Sequence, residues 1–295
     1  MKRLPLGELY YEYSRHHEPR ILVSPGETLE VETEDAFSGQ IRSDNDRRDK
    51  TTQPFSNPQT GPIAVEGAAP GDALAVEIIA IEPLNGQCVT RTSDPRQLCE
   101  WLGDDCPHGT HACAIRDGQI HWSDSITIPY TPMFGCIGTA PAIGVPTAVP
   151  AGPYGGNMDL VEVRPGSTVF LPVFVPRGLL YLGDAHAAMG HGELSASGLE
   201  MPARSVIRVN LVKQAKLPGV RIETADEIMS VATGTPMERS IAEAYARLIA
   251  WMEHDHEWNR WRAYDLLTHV GQISVGYYAL GTVAAKINKR YLRGA

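Results

Sequence analysis

The stretch APGDALAVEIIAIEP, residues 69–83, carries a clear turn and strand signal. Its Pro-Gly pair suits the two central positions of a type II turn. After the pair, Leu74, Val76 and Ile78 alternate with other residues, and side chains two apart on a strand point to one face. The stretch therefore predicts a strand that enters a sheet from a tight turn.

The same order of Pro-Gly, two residues and a β-type run occurs in SPGETLEVETED (24–35) and RPGSTVFLPVFVP (164–176). The uneven spacing of these copies argues against a solenoid. The 295 residues also include 28 glycines and 22 prolines, which indicates many turns. We predict an α+β, β-rich fold: a β-sandwich or barrel-like body with long functional loops and a C-terminal helical segment. Further strands are predicted at 20–23, 61–66, 118–128, 179–182 and 204–213.

Changes in composition suggest how the chain is organised. Residues 1–215 are predicted to form the β-rich body, with a polar, cysteine-containing excursion at 84–122. Residues 131–158 are mostly Gly, Pro, Ala and Thr, which predicts a long loop whose backbone can approach a ligand closely. From 236 to 271 the apolar residues recur at helical spacing. We therefore predict that 216–295 is a helical segment packed on the same domain.

The excursion contains several potential metal ligands. Without a C-x₂-C pair, their spacing favours a polar loop with thiols over a structural zinc site. The residues concerned are Cys88, Cys99, Cys106, His108, His111 and Cys113.

Charge and hydropathy exclude two classes of partner. A net charge of −9 disfavours binding to nucleic acid or to an anionic membrane surface. No run of about 18 apolar residues is present, so we predict no membrane partner. The first residues, MKRLPLGELYYEYS, lack the apolar core of a secretory signal, and we predict a cytoplasmic location.

One glycine-rich segment is dense in metal-binding and proton-transferring groups. LGDAHAAMGHGELS (182–195) contains Asp184, His186, His191 and Glu193. If Asp184 and His186 end a strand, both side chains lie on one side, and a carboxylate with an imidazole suits zinc. The segment alone fits a polar turn about as well as a metal site.

Other acids also lie beside glycine at predicted strand ends: Asp35, Glu66 and Asp159. Active-site groups often lie on such loops, carried by a rigid scaffold. For each acid taken alone, the pattern favours capping of a turn over a place in an active site.

Six motifs follow one another along the chain: VSPGETLEVETEDAFSGQI, NPQTGPIAVEGAAPGDALAVEI, GCIGTAPA, PAGPYGGNMD, LGDAHAAMGHGELSASGLE and the final INKRYL. Together and in this order, they resemble the acetamidase/formamidase family. The resemblance implies metal-dependent hydrolysis of short linear amides, of the formamide or acetamide type, to carboxylate and ammonia by a metal-bound hydroxide. It also implies zinc, with calcium as an accompanying ion, a small-molecule amide as substrate and a homo-oligomer of two or more copies.

Carried over by motif, the resemblance assigns three groups of residues. Which acid binds metal and which transfers protons stays open. The metal ligands would be Asp35, Asp159, Asp184 and His186. The catalytic acids would be Glu66 and Glu193. Residues lining the substrate or stabilising the oxyanion would be Tyr154, Gly155, Gly156, Asn157 and His191.

The sequence departs from the family pattern at three positions. Tyr154 stands where many members carry histidine, and Ala188 and His191 stand where members often carry Gln and Asp. A phenol at 154 would offer a hydrogen bond to a carbonyl oxygen, and His191 adds a group that titrates near neutrality. These changes keep two alternatives open: hydrolysis of a larger amide or carbamate, and a non-catalytic metal-binding or small-molecule-binding protein on the same scaffold.

Overall fold

Two β-sheets dominate the computed structural model, which describes residues 1–92, 96–103 and 109–294. With strands numbered in chain order, the first sheet has nine strands: β1 (Lys2–Leu4), β3 (Glu27–Thr33), β5 (Ala73–Pro83), β13 (Thr168–Pro172), β16 (Ala203–Val212), β17 (Arg221–Glu223), β18 (Glu227–Ala232), β19 (Gln272–Val275) and β20 (Val283–Asn288). The second sheet has eleven: β2 (Ile21–Val23), β4 (Gln59–Val65), β6 (Gln87–Arg91), β7 (Thr110–Arg116), β8 (Gln119–His121), β9 (Thr127–Pro129), β10 (Met133–Thr139), β11 (Ala151–Gly152), β12 (Gly155–Asn157), β14 (Leu180–His186) and β15 (Glu200–Met201).

The stretch quoted first becomes β5, an inner strand of the first sheet. It pairs antiparallel with β13 on one side and with β16 on the other, where Leu211 lies opposite Leu74 and Val209 opposite Val76. Leu74, Val76 and Ile78 are all buried, as their alternation predicts. The turn and alternation therefore identified the strand correctly.

The main hydrophobic core lies between the two sheets. Val76 and Ile207 of the first sheet belong to the same buried cluster as Ile63, Phe134 and Leu182 of the second. The sheets form a sandwich and, within the described residues, do not close into a barrel. The predicted β-rich α+β class is thus confirmed.

The prediction of one long loop over 131–158 is wrong. This stretch contains β10, β11 and β12, and every residue of β10 is buried. The strand reads MFGCIGT and shows no alternation, because a strand covered on both faces needs no polar side. The single strand predicted over 118–128 is also wrong, since a turn divides it into β8 and β9.

Residues 216–295 add strands as well as helices. β17, β18, β20 and β19 extend the first sheet in that order. Leu248, Trp251 and Met252 of helix α2 (Met237–Asp255) pack in one buried cluster with Ile228 and Ile287 of the sheet. This continuity supports our proposal that 216–295 share a domain with 1–215. The helices are α1 (Arg96–Leu102), α2 (Met237–Asp255) and α3 (Arg260–Val270), with 3₁₀ turns at Tyr278–Leu280 and Lys289–Gly294.

The excursion forms a hairpin of β6 and β7 that continues into β8 and β9. Cys88 and Cys113 face each other on β6 and β7 and are buried. Cys106 and His108 lie outside the described residues, so the zinc alternative is not addressed there. Among the helices described, none has the length and apolar character required to span a membrane.

Candidate active site

Five buried ionisable side chains meet at one end of β14, and we call them the acid–histidine cluster: Asp159, Asp184, His186, Glu193 and Glu200. Asp184 and His186 end β14, and Glu200 begins β15 directly opposite His186 in the ladder. Asp159 follows β12, and Glu193 lies in the connection between β14 and β15. Four parts of the chain therefore supply the cluster: the ends of β14 and β15, the segment after β12 and the β14–β15 connection.

His186 lies at the centre of the cluster. Its Nε2 atom is 3.5 Å from Asp184 Oδ1 and 3.2 Å from Glu200 Oε2. Donor atoms of Asp184, His186 and Glu200 all lie within 4.8 Å of one another. The same holds for Asp159, His186 and Glu193, so the histidine belongs to both groups.

Several atoms of the cluster lack hydrogen-bond partners among the described residues. They are both carboxyl oxygens of Asp159, both ring nitrogens of His186 and Oε2 of Glu200. Buried polar atoms are nearly always paired, and leaving them unpaired is costly. Carboxylates with one imidazole are a donor set that zinc accepts. The residues present thus fit a divalent cation.

Burial changes the protonation of the acids. Loss of hydration and the negative charge of Asp184 raise the pKa of Asp159 to about 8. Loss of hydration likewise raises the pKa of Glu200 to about 7, against the opposing effect of His186. Burial, with the charge of Asp159, holds the pKa of Glu193 well above its usual range. Acids crowded in this way favour either protons or a cation.

The pKa of His186 is raised as well, but by neighbouring charge and not by burial. Burial lowers the pKa of His186, but the charges of Glu200 and Asp184 outweigh it and raise this pKa well above the ordinary value. Without a metal ion the neighbouring carboxylates therefore favour the protonated imidazole. A divalent cation can also supply positive charge to these carboxylates. The protonated imidazole and the metal-bound cluster are therefore alternative states of the site.

The backbone is strained at three cluster acids. Asp159, Asp184 and Glu193 have φ angles of +50°, +56° and +44°. Non-glycine residues rarely adopt this left-handed region, and such strain gathers at functional sites. The turns that these angles produce direct side chains from three segments to one point.

A hydrogen-bond network fixes Asp184 from behind. The amide of Asn57 donates to Asp184 Oδ2 at 3.2 Å and to Asn157 Oδ1 at 3.1 Å. The Cys136 thiol also donates to Asn157 Oδ1, at 2.9 Å. Asn157 thus contacts the site through Asn57 and Cys136, while Oδ1 of Asp184 is left to face His186.

Two acids named at the sequence level lie apart from the cluster. Glu66 is exposed and accepts a hydrogen bond from the Ser24 hydroxyl. Asp35 is buried, but its oxygens accept hydrogen bonds from its own loop, including Arg42 Nη1 at 2.9 Å. Neither belongs to the groups of closely spaced donors found in the described chain.

The other residues predicted for the site lie either in packed strands and their neighbours or at the wall of a cavity. Tyr154 is buried, its hydroxyl donates to the Pro150 carbonyl at 3.1 Å, and its ring packs against Tyr13. Gly155 and Gly156 belong to β12, which has β10 and β11 as neighbours on its two sides. His191 is exposed at the mouth of a cavity.

Sequence reasoning missed Glu200, Asn57 and Cys136. Glu200 is the last residue of the motif LGDAHAAMGHGELSASGLE, well beyond His186, and only the β14–β15 pairing brings it opposite the histidine. Asn57 has a positive φ of 58° before a proline, a feature of turns in general. All three residues lie in motifs that carry the family resemblance, but the motifs alone assigned them no role.

A cavity of about 620 Å³ opens beside the cluster, and we call it the outer cavity. Residues from 188–199 form one wall, and the β8–β9 hairpin forms part of the other. Glu193 lines both this cavity and the cluster. A larger cavity of about 750 Å³ lies against α2, and no cluster residue lines it.

The comparisons with known proteins agree with this fold. The sequence model of the acetamidase/formamidase family matches residues 10–149 and 142–250. The acetamidase structure from Yersinia enterocolitica is 32% identical, with a TM-score of 0.91 over 99% of this chain and 92% of that one. The acetamidase from Bacillus halodurans is 30% identical, with a TM-score of 0.90 over 99% of this chain and all of that one (100%).

The chain therefore belongs to the acetamidase/formamidase family. Among curated proteins, the acetamidase of Mycolicibacterium smegmatis is 28% identical over 65% of this chain and 63% of its own length. This chain spans 61% to 63% of the length of the curated relatives that it matches.

Replacing Gly135 by alanine is expected to disturb the cluster. A β-carbon there would lie 2.5 Å from Asp159 Oδ1 and closer still to Asp184 Oδ2, nearer than non-bonded atoms approach. We expect the variant to bind metal at least about tenfold more weakly and to lose about 1–3 kcal/mol of stability. Metal titration and denaturant unfolding measure both. Gly109→Ala is the control, because its nearest atom would be 3.7 Å away; equal behaviour of the two variants would contradict the prediction.

Metal-free protein is expected to lose stability as the pH rises from about 4 to about 8. The folded-state pKa of Asp159 is about 8, whereas an unfolded aspartate titrates near 3.9. Between these values the unfolded chain binds fewer protons, so the free energy of unfolding falls with rising pH, by about 2–5 kcal/mol.

The measurement is chemical unfolding of chelated protein at pH 5 and pH 8, for wild type and Asp159→Asn. The variant lacks the titrating carboxyl and should lose the part of the difference that Asp159 contributes, while the raised pKa values of Glu193 and Glu200 leave the remainder. Parallel curves for the two proteins would show that Asp159 ionises normally.

Proposed function

We propose that the protein hydrolyses carboxylic amides to carboxylate and ammonia at the acid–histidine cluster, with a divalent metal ion as cofactor. The observation that carries this proposal is His186 among buried carboxylates. Within the described residues, both of its ring nitrogens, both carboxyl oxygens of Asp159 and Oε2 of Glu200 have no hydrogen-bond partner. Family membership supports the reaction class, since relatives bear the names formamidase and acetamidase.

Asp184, His186 and Glu200 would hold the metal. They form one of the two closely spaced groups, and Asn57 and Ser197 orient their carboxylates through hydrogen bonds of 3.2 and 3.3 Å. Such outer contacts fix ligands in position. When bound, a divalent cation supplies Lewis acidity, which lowers the pKa of water and polarises the amide carbonyl. Zinc fits the imidazole, and the number of carboxylates leaves calcium as a second candidate.

Glu193 would transfer protons. It lies against Asp159 in the cluster and also lines the outer cavity, where substrate can reach it. In hydrolysis the water oxygen bonds to the carbonyl carbon, the C–N bond breaks, and the nitrogen leaves with a proton. A carboxylate that accepts the proton of water and returns it to nitrogen serves both steps. Asp159, beside Glu193, would keep that proton within the cluster.

The test is ammonia release from formamide and acetamide by purified protein, before chelation, after chelation, and after return of zinc or calcium. We expect chelation to abolish release and one ion to restore it. Release that survives complete metal removal would overturn the metal requirement. Bound metal without release from any amide would favour the non-catalytic alternative.

We also propose that the protein forms a homo-oligomer and is cytoplasmic. Trp261 and Tyr264 are exposed on α3, with their ring centroids 6.2 Å apart. Exposed aromatic side chains are enriched at interfaces. Light scattering of the native protein would give its mass in solution.

A further inference from the structure

The outer cavity is much larger than a short amide needs. Acetamide has four non-hydrogen atoms and so occupies the space of a few water molecules, each about 30 Å³ in the liquid. The cavity measures about 620 Å³. Sites of 300–1,000 Å³ typically enclose ligands of drug size, so formamide or acetamide would leave most of this space filled with water.

The cavity wall is mainly apolar. Trp122, Ile128 and Pro129 line the side of the β8–β9 hairpin, and Met189, Leu194 and Leu199 line the opposite side. Its ionisable lining residues are Glu193, next to the cluster, and the exposed His191. The other polar side chains of the wall are the hydroxyls of Thr90, Thr131, Ser195 and Ser197. A neutral apolar group therefore fits this mainly apolar wall better than a charged one, which would lose more hydration than these few groups return.

Leu194 is the most informative residue of the wall. It is 63% exposed, although it directly follows the buried Glu193. This leucine is thus exposed immediately beside a group that we place in catalysis. A ligand that covers it would remove apolar surface from water, which is favourable.

Besides Glu193, two other residues of the cavity wall contact the cluster. Ser197 and Gly198 line the cavity, and the Ser197 hydroxyl donates to Glu200 Oε1 at 3.3 Å. A β-carbon on Gly198 would lie 2.5 Å from His186 Nδ1, so this backbone packs directly on the histidine. An amide group at the cluster would therefore have its acyl substituent in the cavity.

We propose that the substrate is a primary amide whose acyl group carries a large apolar substituent, such as a medium alkyl chain or a phenyl ring, held in the outer cavity. This inference rests on the proposed function. The reaction stays the same: water attacks the carbonyl carbon, the C–N bond breaks, and ammonia and the larger carboxylate are released.

The experiment compares kcat/KM for acetamide, butyramide, hexanamide and phenylacetamide on metal-loaded protein, with ammonia as the common product. Burial of each added methylene is expected to raise kcat/KM roughly twofold to fourfold. Hexanamide should therefore exceed acetamide by at least about tenfold.

A pair of variants locates the acyl group. Leu194→Ser is expected to lower the hexanamide-to-acetamide ratio of kcat/KM by about tenfold. Leu102→Ser is the matched control, because Leu102 is 66% exposed and does not line the cavity. Calorimetric titration with hexanoate and acetate gives a second readout, and the preference for hexanoate should weaken in Leu194→Ser alone.

The outcomes separate the two proposals. Hydrolysis of acetamide with no gain along the series would overturn the large-substituent inference and leave amide hydrolysis intact. A ratio unchanged in Leu194→Ser would also overturn it, because the acyl group would then lie elsewhere. No ammonia from any amide would reject the proposed function itself, and the inference with it.

Discussion

Replacing His186 by glutamine is expected to remove metal binding and to lower kcat/KM for amide hydrolysis by about 10³-fold or more. The histidine is common to both groups of closely spaced donors, and its Nε2 atom faces Asp184 and Glu200. Metal-ion catalysis contributes several kcal/mol of charge stabilisation, and each 1.36 kcal/mol corresponds to a factor of ten in rate. Glutamine keeps much of the volume of histidine, and its amide can still donate to the carboxylates.

Metal content by elemental analysis and ammonia release together check this prediction. His254→Gln is the control, because the side chain of His254 is 86% exposed and lies on α2, outside the cluster. Circular dichroism would establish that His186→Gln is folded. A folded His186→Gln protein that retains both metal and turnover would remove this histidine from the active site.

Replacing Glu193 by glutamine is expected to lower kcat by about 10²–10⁴-fold while bound metal is retained. That loss is the usual contribution of a general acid or base. Glutamine preserves the shape of the side chain but cannot exchange a proton. Metal is retained in this proposal because Asp184, His186 and Glu200 form a complete group without Glu193.

Two further variants make this prediction specific. Glu200→Gln should lose metal affinity together with activity, because it changes a proposed ligand. Glu66→Gln tests the other candidate from the sequence, and little effect is expected since Glu66 is exposed and bonded to Ser24. A large rate loss in Glu66→Gln with normal turnover in Glu193→Gln would reverse the assignment, whereas loss of metal in Glu193→Gln would make Glu193 a ligand.

The local sequence pattern correctly predicted those features that depend on residues close together in the chain. The Pro-Gly turn and the alternation of Leu74, Val76 and Ile78 predicted β5 because turn geometry and strand period are local properties. Asp184 and His186 were identified together for the same reason. They lie two residues apart on one strand, and their side chains reach the same region. The motif order also supplied the family, which the sequence and structure comparisons confirm.

The sequence pattern gave a wrong prediction where a strand buried on both faces shows no alternation of polar and apolar residues. β10 reads MFGCIGT, and its glycines suggested a loop, yet Gly135 is required because Asp159 and Asp184 leave no space for a side chain. The sequence pattern also missed the four strands after residue 216. The helical spacing of apolar residues in α2 was the strongest pattern there, and the whole segment was predicted to be helical.

The sequence by itself determined the β-rich class, the family and the Asp184–His186 pair, since each rests on residues close together in the chain. Only the tertiary structure decided which acids join that pair. Strand pairing brings Glu200 opposite His186, and positive φ angles turn Asp159 and Glu193 inward, while Asp35 and Glu66 find partners in other loops. The physical reason is that a binding site depends on distances between side chains, and strand register and backbone turns set those distances between Asp159 and Glu200.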